Sequence, residues 1–353
     1  KYVLLYMGWS NAIVFLIEIS FGILDKKGDL NRYLMEDGEP SKDDCLTLPI
    51  DTLIKRRAVP ATVDQGFFNI LAIFEMAMIG TLGVAAVATL TVCRTIMSVA
   101  WIPLQGVVDA LPKMMGKANG SLKEDSGRVV FNILLLSLLV NCLLAFGIYV
   151  FAAQLIALLS HEPVVREAGL GYLKVLSFTS VGMGMIWIIR SLFKAAGDMH
   201  SALKISLLST YATIILMPLF AFTFHMGLIG AAWAQLIGRA LGLVYSLYLF
   251  RVSGHVDIGR HDFVVDTEPM KEVVGIGSYS SLQMVLMILY GGLLVKIASG
   301  FGTSAVAAFG IINNIGILLT IVGSGLWTAA STLAGQNFNA GQPKRAMEAV
   351  RQC

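Results

Sequence analysis

Charged residues are scarce in this sequence. They make up 14% of its 353 residues, whereas 56% are hydrophobic. The mean hydropathy of +0.74 lies far above that of water-soluble domains. Several apolar stretches reach the roughly 20 residues that a helix needs to cross about 30 Å of hydrocarbon. This composition excludes a soluble globular protein and predicts an all-α integral membrane protein, a polytopic helix bundle.

Several chemical signatures are missing as well. The phosphate-binding pattern G-x-x-x-x-G-K-[ST] does not occur, so this sequence holds no ATP-driven motor. Its four cysteines lack metal-ligand spacing, and its five histidines are scattered in predicted loops or at helix ends. A membrane-embedded enzyme would normally show paired aspartates inside the bundle, yet Asp43 and Asp44 lie in a predicted loop. We therefore expect no enzyme, no cofactor and no bound metal.

The apolar runs predict nine membrane helices. The first contains Glu18 and has no small-residue cleavage site, so it is expected to be an extra helix and not a signal peptide. The predicted helices lie near Tyr2–Leu24, Ala61–Gly80, Val84–Pro112, Val129–Phe151, Leu170–Phe193, Ala202–Phe224, Gly227–Phe250, Val273–Ser299 and Ser304–Leu333.

The sequence also repeats itself at an offset of 219 residues. Leu82–Gly116 laid over Phe301–Gly335 without a gap is identical at nine of 35 positions. The period spans six predicted helices. Because six is even, both copies enter the membrane from the same side and should be related by an axis along the membrane normal. An internal repeat of this kind is typical of secondary transporters and disfavours a channel. Three of the matched pairs are glycines: Gly83/Gly302, Gly106/Gly325 and Gly116/Gly335.

The repeat divides the chain into three parts. An extra N-terminal helix and a charged cytosolic loop occupy 1–58, the first six-helix lobe occupies 59–252, and two helices of a second lobe occupy 253–353. A complete second copy would end near residue 470, about 117 residues beyond Cys353. We therefore expect the second repeat to be incomplete here, and the 353 residues alone not to transport.

Basic residues indicate the orientation. Of the 26 Lys and Arg residues, 20 fall in predicted loops on one side, which the positive-inside rule assigns to the cytosol of a cell membrane. The net charge of +3 is therefore a topology signal, and we expect no nucleic-acid partner. Nothing in the sequence specifies an oligomer.

Three segments resemble one transporter family. The stretch Phe301–Arg345, FGTSAVAAFGIINNIGILLTIVGSGLWTAASTLAGQNFNAGQPKR, is similar to the seventh and eighth helices of the multidrug and toxin extrusion (MATE) family. Arg190–Asp198 resembles the family's cytosolic turn after the fourth helix, and Gly227–Arg239 its sixth helix. The resemblance covers about Val59–Cys353. It implies two six-helix lobes around a cavity, with export of a bulky, often cationic, organic compound driven by entry of protons or sodium.

Glu75 is the main candidate for the coupling-ion site. It lies five residues before Gly80, which places its carboxylate roughly 7 to 8 Å inside the outer end of its helix. Many MATE proteins carry an aspartate at the matching position. A carboxylate in a partly dry cavity can hold and release a proton near neutral pH. The alternative is a structural ion pair with Arg94, ten residues into the next helix.

Asp64 is a second candidate for ion coupling. It lies eleven residues before Glu75 and within about 20° of the same helical face, so it could form the cytosolic end of a proton path. Its predicted place near the interface favours simple solvation. Proton coupling is favoured over sodium, because 275–338 contains no Asp or Glu and sodium needs several oxygen ligands. The Asp-Pro step common in the family's fifth helix is also replaced here, by Met217-Pro218.

Ten polar and aromatic residues are predicted to line the substrate cavity. The aromatic members can stack on an organic cation, and the amides offer neutral contacts. If the arginines face the cavity unpaired, the site suits an anion, as expected of the related lipid-linked oligosaccharide flippases. The ten are Phe68, Asn69, Arg94, Gln235, Arg239, Gln283, Tyr290, Asn313, Asn314 and Trp327.

The repeat leads to a first test. We expect Leu82–Gly116 and Phe301–Gly335 to superpose by a rotation of about 180° around an axis near the membrane normal. An experimental structure of the full-length protein would measure that rotation. An axis lying in the membrane plane would contradict the prediction.

Overall fold

The structure is a computed structural model that describes residues 49–121, 126–160, 162–196, 198–253, 263–301, 316, 320, 323–335, 337–338 and 341–352. These residues are helical apart from short connections, and no strand occurs among them. Six of the described helices are long and apolar enough to span a membrane, or seven when one bent pair counts as a span. The predicted helix Tyr2–Leu24 and most of Ser304–Leu333 lie outside the described residues.

The helices follow one another with short connections. A single π-helical turn, Leu219–Thr223, continues α6, and residues 323–335 are also helical. The labelled helices are α1 (Ile50–Gly80), α2 (Val84–Ala100), α3 (Ile102–Ser121), α4 (Ser126–Leu159), α5 (Pro163–Ala196), α6 (Met199–Pro218), α7 (Gly227–Ser253), α8 (Thr267–Ser299) and α9 (Pro343–Gln352).

The predicted start of the first-lobe helix at Ala61 is wrong. α1 begins at Ile50, inside the stretch that was predicted to be a cytosolic loop, and Pro60 lies within the helix. Leu53 and Ile54 are buried in a cluster with Leu333, and this packing extends the helix beyond its apolar run. Tertiary contacts of this kind override the local signal of the charged residues before Pro60.

The predicted single helix Val84–Pro112 is also wrong, because the chain bends by 49° between α2 and α3. The break falls at Trp101. Pro103, two residues later, has no N–H to donate to the Val99 carbonyl, and its ring crowds that carbonyl. The bend divides this span into an outer part and an inner part with different neighbours.

The core of the first lobe surrounds α5. This helix contacts α2, α3, α4, α6 and α7. Tyr172 and Leu173 of α5 are fully buried against Met78, Leu90 and Ala231. Small residues allow neighbouring helices to approach closely. A Cβ placed on Gly238 of α7, for example, would lie 3.0 Å from the Thr213 backbone nitrogen on α6.

The segment that leads into the second lobe is hydrogen-bonded to α4 of the first lobe. The Asn132 side chain on α4 donates from Nδ2 to the Val264 carbonyl (3.0 Å), and its Oδ1 accepts from the Asp266 backbone N–H (2.8 Å). Arg128 also forms an ion pair with Asp266 at 3.5 Å. From this point α8 runs along α3 and α4. The first described helix of the second lobe is thereby held against the first lobe.

We expect Gly238→Val to destabilise the first lobe, because its side chain would meet backbone atoms of α6 that cannot move aside. Overpacking of this kind typically costs about 1 to 3 kcal/mol. Gly147→Val is the matched control, since a Cβ on Gly147 in α4 would meet no atom within 4 Å. Thermal unfolding of the two purified variants in the same detergent measures the difference. Equal melting temperatures would contradict this account of α6–α7 packing.

Candidate functional site

A carboxylate lies inside the first lobe near its predicted outer end, held by three helices. Glu75 on α1 is 7% exposed. Its Oε2 accepts from Arg94 Nη2 on α2 at 2.5 Å. Its Oε1 accepts from Tyr172 Oη on α5 at 2.9 Å and from Gln235 Nε2 on α7 at 2.5 Å. These four residues are called the outer cluster below.

The outer cluster has the geometry of an ionised carboxylate. Both Glu75 oxygens accept hydrogen bonds, three in total, and one donor is a guanidinium. Gln235 Nε2 also donates to Tyr172 Oη at 3.4 Å, which fixes the two neutral donors relative to each other. The Arg94 side chain remains 34% exposed, so the ion pair has a solvent-accessible or lipid-accessible side. The cluster is charge-neutral and reachable through Arg94.

A second carboxylate lies deeper on the same helix. Asp64 is 1% exposed. Its Oδ2 accepts from Arg190 Nη2 and from Lys194 Nζ, the latter at 2.7 Å, both at the C-terminal end of α5. Its Oδ1 accepts from the Ser206 hydroxyl on α6 at 2.5 Å. These four residues are called the inner cluster.

The prediction that Asp64 is solvated is therefore wrong. α1 and α5 extend past their apolar runs, so the carboxylate lies between helices and its partners replace water. Asp64 and Glu75 lie on the same face of α1 and about 16 Å apart along it, at 1.5 Å per residue. The two clusters differ in charge: the outer one sums to zero, and the inner one sums to +1.

Other predicted site residues lie elsewhere. Arg239 is buried and donates to the Ser209 hydroxyl at 3.3 Å. Asn69 is half-buried and donates to the Gln65 carbonyl of its own helix at 3.0 Å. The structure thus brings Glu75, Arg94 and Gln235 together, but places Asn69 outside both clusters.

Three of the predicted second-lobe residues lie outside both clusters. Gln283 is exposed, and the Tyr290 and Trp327 side chains are 62% and 76% exposed. Asn313 and Asn314 lie outside the described residues, and Phe68 lies outside the described side chains. Whether these residues line the cavity stays a prediction.

Sequence reasoning missed four members of the two clusters: Tyr172, Arg190, Lys194 and Ser206. Tyr172 is one aromatic residue among many in an apolar helix, and no local pattern marks it. Arg190 and Lys194 were assigned to a cytosolic loop by their charge. Their spacing of four residues, which puts both on one helical face, was the available signal. Ser206 follows a helix start and resembles any small polar residue at a helix seam.

Neither cluster has the donor set of a metal site. Among the described residues, no three His, Cys, Asp or Glu side chains lie close enough together to hold a metal ion. The partners of both carboxylates are N–H and O–H donors, which hold an anion and not a cation.

Comparison with known proteins defines the class. The MatE family model matches residues 60–219 and 280–353, which is well over half of the chain. The chain belongs to this family, which is a family of multi-pass cell-membrane transporters and not of enzymes. The resemblance stated from the sequence is thus confirmed.

Two curated relatives and one solved structure illustrate the similarity. The probable multidrug resistance protein YpnP of Bacillus subtilis is 27% identical over 163 residues, 44% of this chain and 35% of the relative. The FAD transporter of Shewanella oneidensis is 25% identical over 319 residues, 86% and 69% of the two chains. The outward-facing conformation of a multidrug resistance MATE family transporter has a TM-score of 0.80 at 20% identity, covering 89% of this chain and 70% of that one.

The chain spans only part of several of these relatives. It covers 35%, 53% and 45% of the length of the first three curated proteins that it matches. The comparisons therefore establish the family and the helical fold of this chain. The transport activity is treated as a proposal below.

The inner cluster leads to a stability prediction. Asp64→Asn should destabilise the protein by roughly 3 to 5 kcal/mol, because Arg190 and Lys194 lose their shared carboxylate in a buried setting. Glu268→Gln is the control, since the Glu268–Lys271 pair is exposed and such pairs add little. Thermal melting of both variants measures the contrast. An Asp64→Asn variant as stable as the control would contradict a locking role for this cluster.

Proposed function

We propose that this chain is part of a cation-coupled antiporter that exports organic compounds, with the proton as the coupling ion and Glu75 as the group that binds it. The observation that carries the proposal is the outer cluster. A carboxylate is buried among membrane helices, paired with one arginine, and that arginine is partly exposed. An intramembrane ionisable group of this kind is costly and usually functional.

Charge balance favours Glu75 over Asp64 as the coupling residue. Protonation of Glu75 leaves one positive charge, on a side chain that is already partly exposed. Protonation of Asp64 would leave two positive charges, on Arg190 and Lys194, around a carboxyl group that is 1% exposed. We therefore assign the proton to Glu75. A role for Asp64 at the cytosolic end of a proton path is the secondary hypothesis, and Asp64→Asn with intact folding and lost coupling would support it.

The outer cluster offers an electrostatic rule for exchange. While Glu75 is ionised, the Glu75–Arg94 pair is neutral and a cationic substrate is tolerated nearby. When a proton neutralises Glu75, the Arg94 guanidinium loses its counter-charge and repels a cation in the same space. Proton binding and cation binding then exclude each other, which is the requirement for antiport.

The neighbours of Glu75 support a proton over sodium. Sodium is a hard cation that needs several oxygen ligands. The groups that contact the Glu75 oxygens, from Arg94, Tyr172 and Gln235, are donors, and two of them are nitrogens. A proton needs only one carboxylate oxygen of Glu75, so it can bind without oxygen ligands taking the place of these donors.

An anionic substrate is the second candidate, and the charge of the first-lobe interior favours it. Among the side chains of the two clusters and Arg239, four are cationic and two are carboxylates, which leaves a net charge of +2. The name of the Shewanella oneidensis FAD transporter, a relative of this chain, denotes a phosphate-bearing substrate. Competition between an organic cation and a flavin nucleotide for binding to the purified protein separates the two candidates.

The decisive test is Glu75→Gln in the full-length protein. Glutamine keeps the shape and still accepts from Tyr172, but it cannot take up a proton. Because glutamine leaves Arg94 without its counter-charge, as a proton on Glu75 does, binding of an organic cation should weaken and lose its pH dependence, and gradient-driven export should be lost. Glu167→Gln makes the same chemical change at an exposed residue of α5 and should behave as wild type. The assay uses proteoliposomes loaded with a fluorescent organic cation, under a proton gradient or a sodium gradient imposed separately.

Each outcome of this assay has a meaning. Unimpaired, normally coupled export by Glu75→Gln would remove Glu75 from the mechanism. Export driven by sodium and not by protons would show that the coupling ion is wrong. If Glu75→Gln lowers the melting temperature markedly but keeps coupled export, the Glu75–Arg94 pair has a structural role, which is the alternative given in the sequence analysis.

A further inference from the structure

In the part of the chain that the structure describes, the second lobe meets the first at two close crossings that each have a glycine at the contact. At the first, α3 crosses α8. A Cβ placed on Gly106 of α3 would lie 2.6 Å from Ser281 Oγ and would also overlap the Gly277 carbonyl oxygen. The Ser281 hydroxyl donates to the Ile102 carbonyl at 3.1 Å, so this crossing is hydrogen-bonded as well. No side chain larger than hydrogen fits at Gly106 without separating the helices.

At the second crossing, residues 323–335 cross α1. A Cβ placed on Gly325 would lie 2.9 Å from the Ala58 carbonyl oxygen and would also overlap Thr62 Oγ1. Gly325 is buried at this crossing, whereas Gly323, two residues earlier, is exposed and a Cβ there would meet no atom within 4 Å. Of these two glycines, only Gly325 lies at the close approach to α1. The two crossings are called the glycine seams below.

The two seams are the same interface used twice. At each, a glycine from one lobe faces a backbone carbonyl of the other lobe and, one helical turn later, a hydroxyl group. A contact that maps onto its counterpart when two copies are exchanged has the property of a two-fold, isologous interface. The 219-residue offset relates every member of one seam to a member of the other: Gly106 to Gly325, Ala58 to Gly277, and Thr62 to Ser281.

Both seams lie toward the end of the bundle that the basic residues mark as cytosolic. Lys113 follows Gly106 by seven residues, Lys271 precedes Gly277 by six, and Arg57 adjoins Ala58. At 1.5 Å per residue, the α3–α8 seam is about 10 Å from its basic end. The outer cluster lies farther along α1, on the other side of the seam.

We propose that the two glycine seams together close the cytosolic end of the space between the lobes, and that they open as a pair. Because a two-fold relation joins them, one rotation of the lobes separates both seams at once. Because each centres on a glycine, the glycine backbone lies against a backbone carbonyl of the other lobe with one hydroxyl group beside it, and no larger side chain holds the lobes apart there. The inference assumes the transport cycle proposed above, but closure is measurable without transport.

The test measures lobe separation at the cytosolic end of the full-length protein. Its native cysteines are replaced, and spin labels are attached through Lys204→Cys on α6 and Lys271→Cys on α8, two exposed residues in different lobes. The seam variants are Gly277→Ala and Gly325→Ala. The controls are Gly275→Ala and Gly323→Ala, each two residues away on the same helix, where a Cβ meets no atom within 4 Å.

Each seam variant should shift the label distances toward a longer population by several ångström, while both controls match the unsubstituted labelled protein. Thr62→Ala combined with Gly325→Ala should give a smaller shift than Gly325→Ala alone, because the hydroxyl group is gone while the Ala58 carbonyl oxygen stays 2.9 Å from the added Cβ. If Gly325→Ala does not fold, this double variant and Gly277→Ala carry the comparison. Equal distances in the seam variants and the control variants would overturn the proposal.

The same measurement separates this proposal from the proposed function. If the seam variants lengthen the label distance but the protein shows no proton-coupled export, the closure proposal is supported and the proposed function is contradicted. If the protein shows proton-coupled export and the seam variants lose it without a change in label distance, the proposed function is supported and the closure proposal is contradicted.

Discussion

A carboxylate buried among membrane helices must find its counter-charge within the protein, because neither water nor lipid supplies one cheaply. In this structure α1 carries two such groups on one face. Glu75 joins α1 to α2, α5 and α7, while Asp64 joins it to α5 and α6. The arrangement of the first lobe around α1 depends on these two connections. The outer cluster is neutral and the inner cluster carries a charge of +1, and this difference is the reason for the different roles proposed for Glu75 and Asp64.

The same helix also faces the second lobe. Ala58 and Thr62 of α1 meet Gly325, and Asp64, two residues later, points to the interior of the first lobe. The seam contacts of α1 and its buried ion pair to α5 therefore lie within one helical turn of each other. At the other seam α3 supplies the first-lobe contact. The bend at Trp101 separates α3 from α2, the outer part of the same span. Rigid attachment of each seam to its own lobe is what a paired opening requires.

Much of this fold is readable from the sequence, and the exceptions have physical causes. The apolar runs located the helices, and the predicted α7 ended three residues from its observed end. The pairing of Glu75 with Arg94 was the alternative that helix spacing offered, and the structure shows that contact. The partners of Asp64 did not follow from helix spacing, because Arg190 and Lys194 lie 126 and 130 residues away and resemble loop residues by charge. The start of α1 depends on packing against Leu333, which no local pattern shows.

The attachment of the inter-lobe connection to Asn132 has a consequence for its alignment. One amide group supplies both a donor to the Val264 carbonyl and an acceptor for the Asp266 N–H, as a neighbouring β-strand would. A shift of the connection by a single residue would break both hydrogen bonds. One side chain of α4 therefore sets the alignment at which the chain passes from the first lobe to the second.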